Sequence, residues 1–246
     1  MNKETQQVAI ITGSSRGIGA AVAQRLAGDG FAVVINYSGN AAPAEALTQQ
    51  IVREGGKALA LQADVSDPAA VRALFDNTEQ AFGGVDILVN NAGIMANTTI
   101  AETDDASFER QIAINLKGSF NTMREAGKRL RNGGRIINFS SSVVGTLQPS
   151  YGIYAATKAG VEALTSVLAK ELRGRNITVN AVAPGPTATD LFFNGKSQEL
   201  IDRLAKIAPL ERLGQPQDIA ATVAFLAGAE GSWINGQTLR ANGGMV

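Results

Sequence analysis

Val8-Ala9-Ile10-Ile11-Thr12-Gly13-Ser14-Ser15-Arg16-Gly17-Ile18-Gly19-Ala20-Ala21 is the stretch whose reading decides the fold. Four apolar residues, three of them β-branched, read as a short strand buried on both faces. A glycine-rich turn follows and leads directly into an alanine-rich helical segment. Glycines let such a turn adopt positive φ and let backbone N–H groups approach a pyrophosphate with no Cβ in the way. The helix then points its positive N-terminal end at the anion. A strand before the glycines and a helix after them is the context that makes the turn a dinucleotide-binding signal.

The same alternation runs outward along the chain. Apolar runs occur at Ala32–Asn36, Ala58–Leu61, Val85–Val89, Arg135–Phe139, Ile177–Val182 and Gln237–Leu239. Between them lie helix-like segments at Gly17–Ala27, Ala42–Glu54, Pro68–Phe82, Asp105–Leu130 and Tyr154–Arg173. Strands and helices alternating at this spacing predict an α/β fold, a doubly wound parallel sheet of about seven strands with helices on both faces. The 246 residues fit one domain, with no internal repeat or long linker. Residues 186–214, opened by Pro184-Gly185-Pro186 and mixed in polarity, read as a substrate lid.

Composition narrows the chemistry. There is no cysteine and no histidine, which excludes disulfides, thiolate nucleophiles, His-containing triads and His- or Cys-ligated metal. No metal site is expected. Lys+Arg and Asp+Glu balance at 22 each, which argues against a nucleic-acid partner. No apolar run approaches the roughly 18 residues of a membrane span, and Met1–Gln7 lacks a signal-peptide core. A cytoplasmic protein without a membrane partner is the default expectation.

The remaining acid/base candidates are few. Tyr154 and Lys158 stand four apart among helix formers and share one helical face. A phenol near its ordinary pKa of ~10 is a poor acid/base at neutral pH, and a neighbouring ammonium is expected to lower that value. Ser140-Ser141-Ser142 ends the strand Arg135–Phe139, where open α/β sheets bind ligands. A hydroxyl there can stabilise charge on a reacting oxygen. Asn115 lies in an otherwise apolar helical stretch, where an amide must find partners.

The strand Ala32–Asn36 continues into Tyr37-Ser38-Gly39-Asn40, with no acid between Phe31 and Ala44. A carboxylate there would hold ribose hydroxyls and repel a 2′-phosphate. Its absence, with Arg16 in the glycine turn and Asn36 or Ser38 as hydrogen-bond donors, points to NADP(H) over NAD(H).

Thr12-Gly13-Ser14-Ser15-Arg16-Gly17-Ile18-Gly19 resembles the cofactor motif of the short-chain dehydrogenase/reductase family. Asn90-Asn91-Ala92-Gly93, Asn115, Ser141, Tyr154 with Lys158, Pro184-Gly185 and Asn242-Gly243-Gly244 follow in that family's order. The resemblance covers essentially the whole chain. It implies that Gly13, Ser15, Gly17, Ile18 and Gly19 cradle the pyrophosphate and that Asn36, Tyr37 and Ser38 face the adenosine ribose. Asp64 and Val65 would contact adenine, although Asp64 could equally cap the following helix. Asn91, Ala92 and Gly93 would border the nicotinamide ribose. Pro184, Gly185, Thr187 and Thr189 would border the carboxamide and phosphates.

By the same resemblance Tyr154 is the general acid/base, Lys158 holds the ribose and tunes Tyr154, and Ser141 orients the substrate oxygen. In the serine triplet, the following Val143-Val144-Gly145 favours Ser142 instead. Asn115 would hold a water in a proton relay from Lys158, or simply bend its helix. The activity implied is hydride transfer between a nicotinamide and a ketone or secondary alcohol. The nearest branches are bacterial carbonyl reductases and 3-oxoacyl-[acyl-carrier-protein] reductases. An acidic acyl carrier protein would require a basic patch near the site, for which Lys128, Arg129, Arg131, Arg173 and Arg175 are candidates. A homotetramer is also implied, with Ala155, Ala159, Gly160 and Ala163 offering a close-packing helix face.

The Arg16 assignment predicts that Arg16→Ala weakens NADPH binding and spares NADH. Titration of both cofactors checks it, and an unchanged NADPH dissociation constant would overturn the assignment.

Overall fold

The computed structural model describes residues 6–246. In chain order the elements begin β1 (Val8–Ile11), α1 (Gly17–Gly28), β2 (Ala32–Tyr37), α2 (Ala42–Arg53), β3 (Lys57–Gln62), α3 (Pro68–Phe82) and β4 (Ile87–Asn90). Then come α4 (Asp105–Gln111), α5 (Gly118–Arg129), β5 (Arg135–Phe139), α6 (Val143–Thr146) and α7 (Gly152–Glu171). The chain ends with β6 (Thr178–Pro184), α8 (Asp190–Phe193), α9 (Gln198–Ala205), α10 (Pro216–Ala227) and β7 (Thr238–Ala241). All seven strands are parallel, in the order β3-β2-β1-β4-β5-β6-β7.

Alternation of side chains along each strand divides the core in two. Ala9, Ile11, Val33, Ile35, Val89, Ile137 and Val182 face α1, α2 and α10. Ile10, Val34, Leu88, Ile136 and Val179 face the other way, toward α3, α5 and α7. Both faces are covered, so the strands carry continuous apolar runs.

The order reverses between β1 and β4: the chain winds outward to β3, then crosses back and winds the other way. The crevice at the carboxyl ends of those two strands is where this architecture binds ligands. A buried polar ladder braces it from below. Asn90 donates to Asn138 at 2.8 Å, Asn138 to Thr165 at 2.9 Å, and Thr122 to Asn90 at 2.5 Å.

The long helical run expected at Asp105–Leu130 is continuous but not regular. Its middle, Ile112–Lys117, is wound as a π-helix between α4 and α5, with Asn115 inside it. One extra residue per turn is a local distortion typical of functional sites. The helix α10 lies outside the expected segments, although Pro216 in its first turn and the Gln215–Asp218 capping box are start signals. The proposed lid contains two short helices, and its ends are clasped. Gly214 donates to the Pro186 carbonyl at 2.9 Å, and Ala188 to the Gly214 carbonyl at 2.9 Å.

The small-residue face of α7 divides. Ala155 is buried, and a Cβ on Gly160 would lie 2.9 Å from Leu116 of the same chain. Ala159 and Ala163 are exposed. No helix among the described residues is long and apolar enough to cross a membrane.

Truncating Asn138 would leave the Asn90 Nδ2 donor without its acceptor and take from Thr165 Oγ1 its donor, both in the core. Asn138→Ala is expected to lower stability by about 1–3 kcal/mol, read from the urea midpoint at unchanged slope.

Candidate active site

The turn after β1 is built against the end of β4. Gly13 sits at φ +60°, and a Cβ there would lie 2.9 Å from the Ala92 Cα. A Cβ on Gly19 would lie 2.5 Å from Asn91 Nδ2 and 2.7 Å from the Gly13 carbonyl oxygen. Asn91 ties the two segments together: Nδ2 donates to the carbonyls of Thr12 and Gly13 at 3.0 and 2.9 Å. Thr12 Oγ1 accepts the backbone N–H groups of Asn91 and Ala92 at 3.1 and 3.0 Å. Thr12 is a supporting residue that motif reading passes over.

Above this turn lies a groove of about 580 Å³. Gly13, Ser15, Arg16, Gly17, Ile18 and Gly19 form one wall, and Asn36, Tyr37, Ser38, Asp64 and Val65 close its far end. Asn91, Ala92, Gly93 and Thr189 line the near end. Arg16 is exposed and joins no ion pair among the described residues. It is the N-cap of α1 and makes no side-chain cap bond, so its guanidinium stays available beside a helix N-terminus.

One of the two donors expected here is otherwise engaged. Asn36 is buried. Its Oδ1 accepts the Gly13 N–H at 3.1 Å, and its Nδ2 donates to the Ala63 carbonyl at 3.0 Å and reaches those of Leu61 and Tyr37 at 3.3 Å. Its amide fixes the glycine turn against the ends of β2 and β3, so it has no donor left for a phosphate. Ser38 is exposed. Asp64 accepts from Ser66 N and Oγ, both at 2.8 Å, while Asp67 caps α3 through Ala69 N. The helix-cap alternative for Asp64 therefore belongs to Asp67.

A second cavity, about 180 Å³, opens from the near end of the groove. The two share Ile18, Asn91, Gly93, Thr189 and Leu191, so they form one cleft. Ser141, Tyr154, Lys158, Pro184, Gly185 and Thr187 line the second part. Of the residues expected to be catalytic or to touch the cofactor, Asn115 alone is absent from these walls. It is fully buried, and its amide clamps the backbone of Ile94 from both sides, accepting from N at 2.8 Å and donating to O at 2.9 Å. Its Nδ2 also reaches Thr157 Oγ1 at 3.3 Å. Its position in the π-wound segment matches the helix-distorting alternative.

The three serines have different partners. Ser140 donates to Glu162 at 2.5 Å. Ser142 is buried, bonded to the Ala183 carbonyl at 3.3 Å and to Asn242 Nδ2 at 2.9 Å. Ser141 Oγ accepts from Val143 N at 3.3 Å, and its hydroxyl favours the phenolate of Tyr154 across the cavity. Burial outweighs that effect and pushes the Tyr154 phenol up to about 12. The expectation that Lys158 lowers it is not met by the chain's own groups. The Lys158 Nζ donates to the Phe139 carbonyl at 2.9 Å and stands 5.7 Å from the Tyr154 ring centre. Burial also pushes Lys158 down to about 8, which weakens it as a fixed positive charge.

Thr187 donates to the Gly185 carbonyl at 2.9 Å and Thr189 to that of Thr187 at 3.3 Å, so both hydroxyls brace the turn after β6. The outer cavity wall includes Met95, Gln148, Tyr151, Leu204 and Met245, which no local motif marks.

The cations considered for a carrier-protein patch stand elsewhere. Arg129 ends α5 and is paired with Asp76 and Glu79 at 2.7 and 2.6 Å. Arg131 is paired with Asp86 at 3.0 Å, and Arg175 donates to the Gly127 and Leu130 carbonyls. These groups lie at the amino-terminal ends of β5 and β6, whereas Ser141 and Pro184 lie at the carboxyl ends. Within one chain they are not at the mouth of the cleft. Lys128 and Arg173 are exposed nearby.

A glycine turn at the switch point of a doubly wound sheet, with a Tyr–Lys pair beside it, defines a dinucleotide-dependent oxidoreductase class. Comparison with known proteins agrees. A family model described as enoyl-(acyl carrier protein) reductase matches residues 13–246. An Arabidopsis thaliana protein described as an NADPH-dependent aldehyde reductase-like protein, chloroplastic, is 47% identical over 98% of this chain and 94% of its own. A Staphylococcus aureus 3-oxoacyl-[acyl-carrier-protein] reductase is 43% identical over 96% of this chain and 97% of its own. The crystal structure of a Burkholderia cenocepacia short-chain dehydrogenase in complex with NADP superposes with a TM-score of 0.92 at 38% identity, covering 99% of both chains. This chain belongs to the short-chain dehydrogenase/reductase family.

The raised Tyr154 value sets a pH prediction. The unfolded phenol ionises near 10.0 and the folded one near about 12. This group's contribution to stability is therefore full below pH 10 and lost as pH rises through the folded value. In the cofactor-free protein, the phenolate absorbance of wild type minus Tyr154→Phe should stay flat through pH 10. A step below that pH would show that the phenol is already depressed by the chain alone.

Proposed function

We propose that this protein is an NADP(H)-dependent carbonyl reductase acting on small, uncharged aldehydes or ketones, with Tyr154 as general acid. The observation that carries the reading is the continuity of the cleft. A glycine-walled groove with Arg16 and no acid at the end of β2 runs directly into the cavity holding Tyr154, Ser141 and Lys158.

The residues present fit a dinucleotide. A Cβ at Gly13 or Gly19 would collide with the segment after β4, and that close approach leaves an open cradle. Gly17, Ile18 and Gly19 would hold the pyrophosphate, Arg16 and Ser38 the 2′-phosphate, and Lys158 and Asn91 the nicotinamide ribose. The chemistry the cofactor supplies when bound is hydride exchange with the carbonyl carbon.

The chain's own residues do the rest. Tyr154, a phenol protonated at neutral pH, gives its proton to the carbonyl oxygen. Ser141 donates a hydrogen bond to the same oxygen and stabilises charge developing there. Lys158 is held by the Phe139 carbonyl, and its ammonium favours the phenolate left after proton transfer. Asn115 fixes the Ile94 backbone, and with it the loop that borders Lys158. Met95, Val143, Leu191, Phe192 and Met245 make the remaining wall apolar, which suits an uncharged substrate.

A second reading, reduction of a 3-oxoacyl thioester on a carrier protein, is supported by the Staphylococcus aureus relative. A homotetramer is supported by exposed apolar side chains such as Phe108, Phe120, Val167 and Trp233, the last 96% exposed.

Purified protein should consume NADPH with aldehydes or ketones. Tyr154→Phe should abolish turnover, and Ser141→Ala should lower kcat by about 10²-fold or more. Ser142→Ala should act on stability and leave kcat within about threefold. Preference for a 3-oxoacyl thioester over every free carbonyl would favour the second reading, and NADPH binding without turnover on either would sink both.

A further inference from the structure

The helix α8 is a single turn of four residues, Asp190–Phe193, and it supplies Leu191 and Phe192 to the cavity wall. A helix this short does not hold itself together, because one turn of hydrogen bonds does not offset the cost of nucleation. Its first end is capped by Thr189, whose Oγ1 accepts from Phe192 N at 3.3 Å. Its last end is closed differently. Gly195 takes φ +73°, which turns the chain back and brings Lys196 over the helix it has just left. The Lys196 Nζ donates to the Phe192 carbonyl at 2.7 Å and sits 4.9 Å from the centre of the Phe192 ring. One ammonium therefore caps the helix and clamps its aromatic side chain. Phe193 stands edge-on to Phe192 at 5.6 Å, on the outside and 40% exposed, so it offers little lateral restraint.

We propose that Lys196 is a positioning residue that sets the reach of the substrate cavity by holding Phe192 in its wall. The idea rests on the carbonyl-reductase reading for what the cavity receives, but the clamp itself does not. Lys196 touches neither the groove nor Tyr154. Its effect should therefore appear in how large apolar substrates bind and leave the chemical step alone. Burial beside Phe192 pushes the Lys196 ammonium below its ordinary value, consistent with a cation partly withdrawn from water onto the ring.

The test has two arms on the full-length protein. The first is hydrogen exchange of the segment 189–196, where the amides of Phe192, Phe193 and Asn194 bond back to Thr189 and Asp190. Lys196→Met keeps length and apolar character but loses cap and charge, and should speed exchange there about three- to tenfold. Lys196→Arg should restore protection. The second arm is steady-state reduction of benzaldehyde and of propanal with NADPH. Lys196→Met should raise KM for benzaldehyde by a similar factor, with kcat and the propanal KM within about twofold. In a Phe192→Leu background the same change should move the benzaldehyde KM much less, because the clamped ring is gone. Unchanged exchange in Lys196→Met, or equal KM changes for both aldehydes, would overturn the proposal. If wild type turns over neither aldehyde, the carbonyl-reductase reading fails, and exchange alone decides the clamp.

Discussion

The approach of the turn after β1 to the end of β4 is the contact on which the rest of this site depends. Gly13 and Gly19 have no room for a side chain because Ala92 and Asn91 occupy it. That contact makes the switch point a groove instead of a filled seam. It is kept by hydrogen bonds: Asn91 and Thr12 bind the two segments to one another, and Asn36 binds the turn to the far strand. Side-chain amides do what a continuous ladder cannot do where the strands diverge. The same residue type recurs below, where Asn90 and Asn138 link β4 to β5 at the level of the last strand residues.

From that groove the cleft acquires its direction. One end is wide, more polar and marked by Arg16; the other narrows to about 180 Å³ and turns apolar around Tyr154. The polar end suits an anionic, extended ligand, and the apolar end suits a small reacting group from which water is excluded. Burial at the apolar end pushes Tyr154 up and Lys158 down, so each is held nearer its neutral form. Depression of the Tyr154 phenol toward neutral pH would need more positive charge near the ring than Lys158, 5.7 Å from the ring centre, supplies.

The outer wall is assembled from remote pieces. Met245 follows β7, Leu204 belongs to α9, Tyr151 precedes α7, and Phe192 depends on Lys196. The clasp between Thr187 and Gly214 pins the ends of the segment that carries α8 and α9. Selectivity in this protein is therefore a property of short, locally capped turns laid across a rigid sheet.

The sequence by itself determined the alternation of strands and helices, the glycine turn, and the Tyr154–Lys158 pair. Each is a local pattern, written in periodicity or in spacings of a few residues. Composition alone excluded histidine and cysteine chemistry. Only the tertiary structure decided that Ser142 is taken by Asn242, 100 residues away. It also decided that Asn36 serves the turn through contacts 23 to 27 residues distant. Arg129 and Arg131 proved to be paired at the far ends of the strands, and Asn115 to lie in a π-wound segment. None of these has a local signature. A polar side chain's role is set by whichever partner the packed fold brings within 3 Å or so, and that partner is named only when the sheet closes.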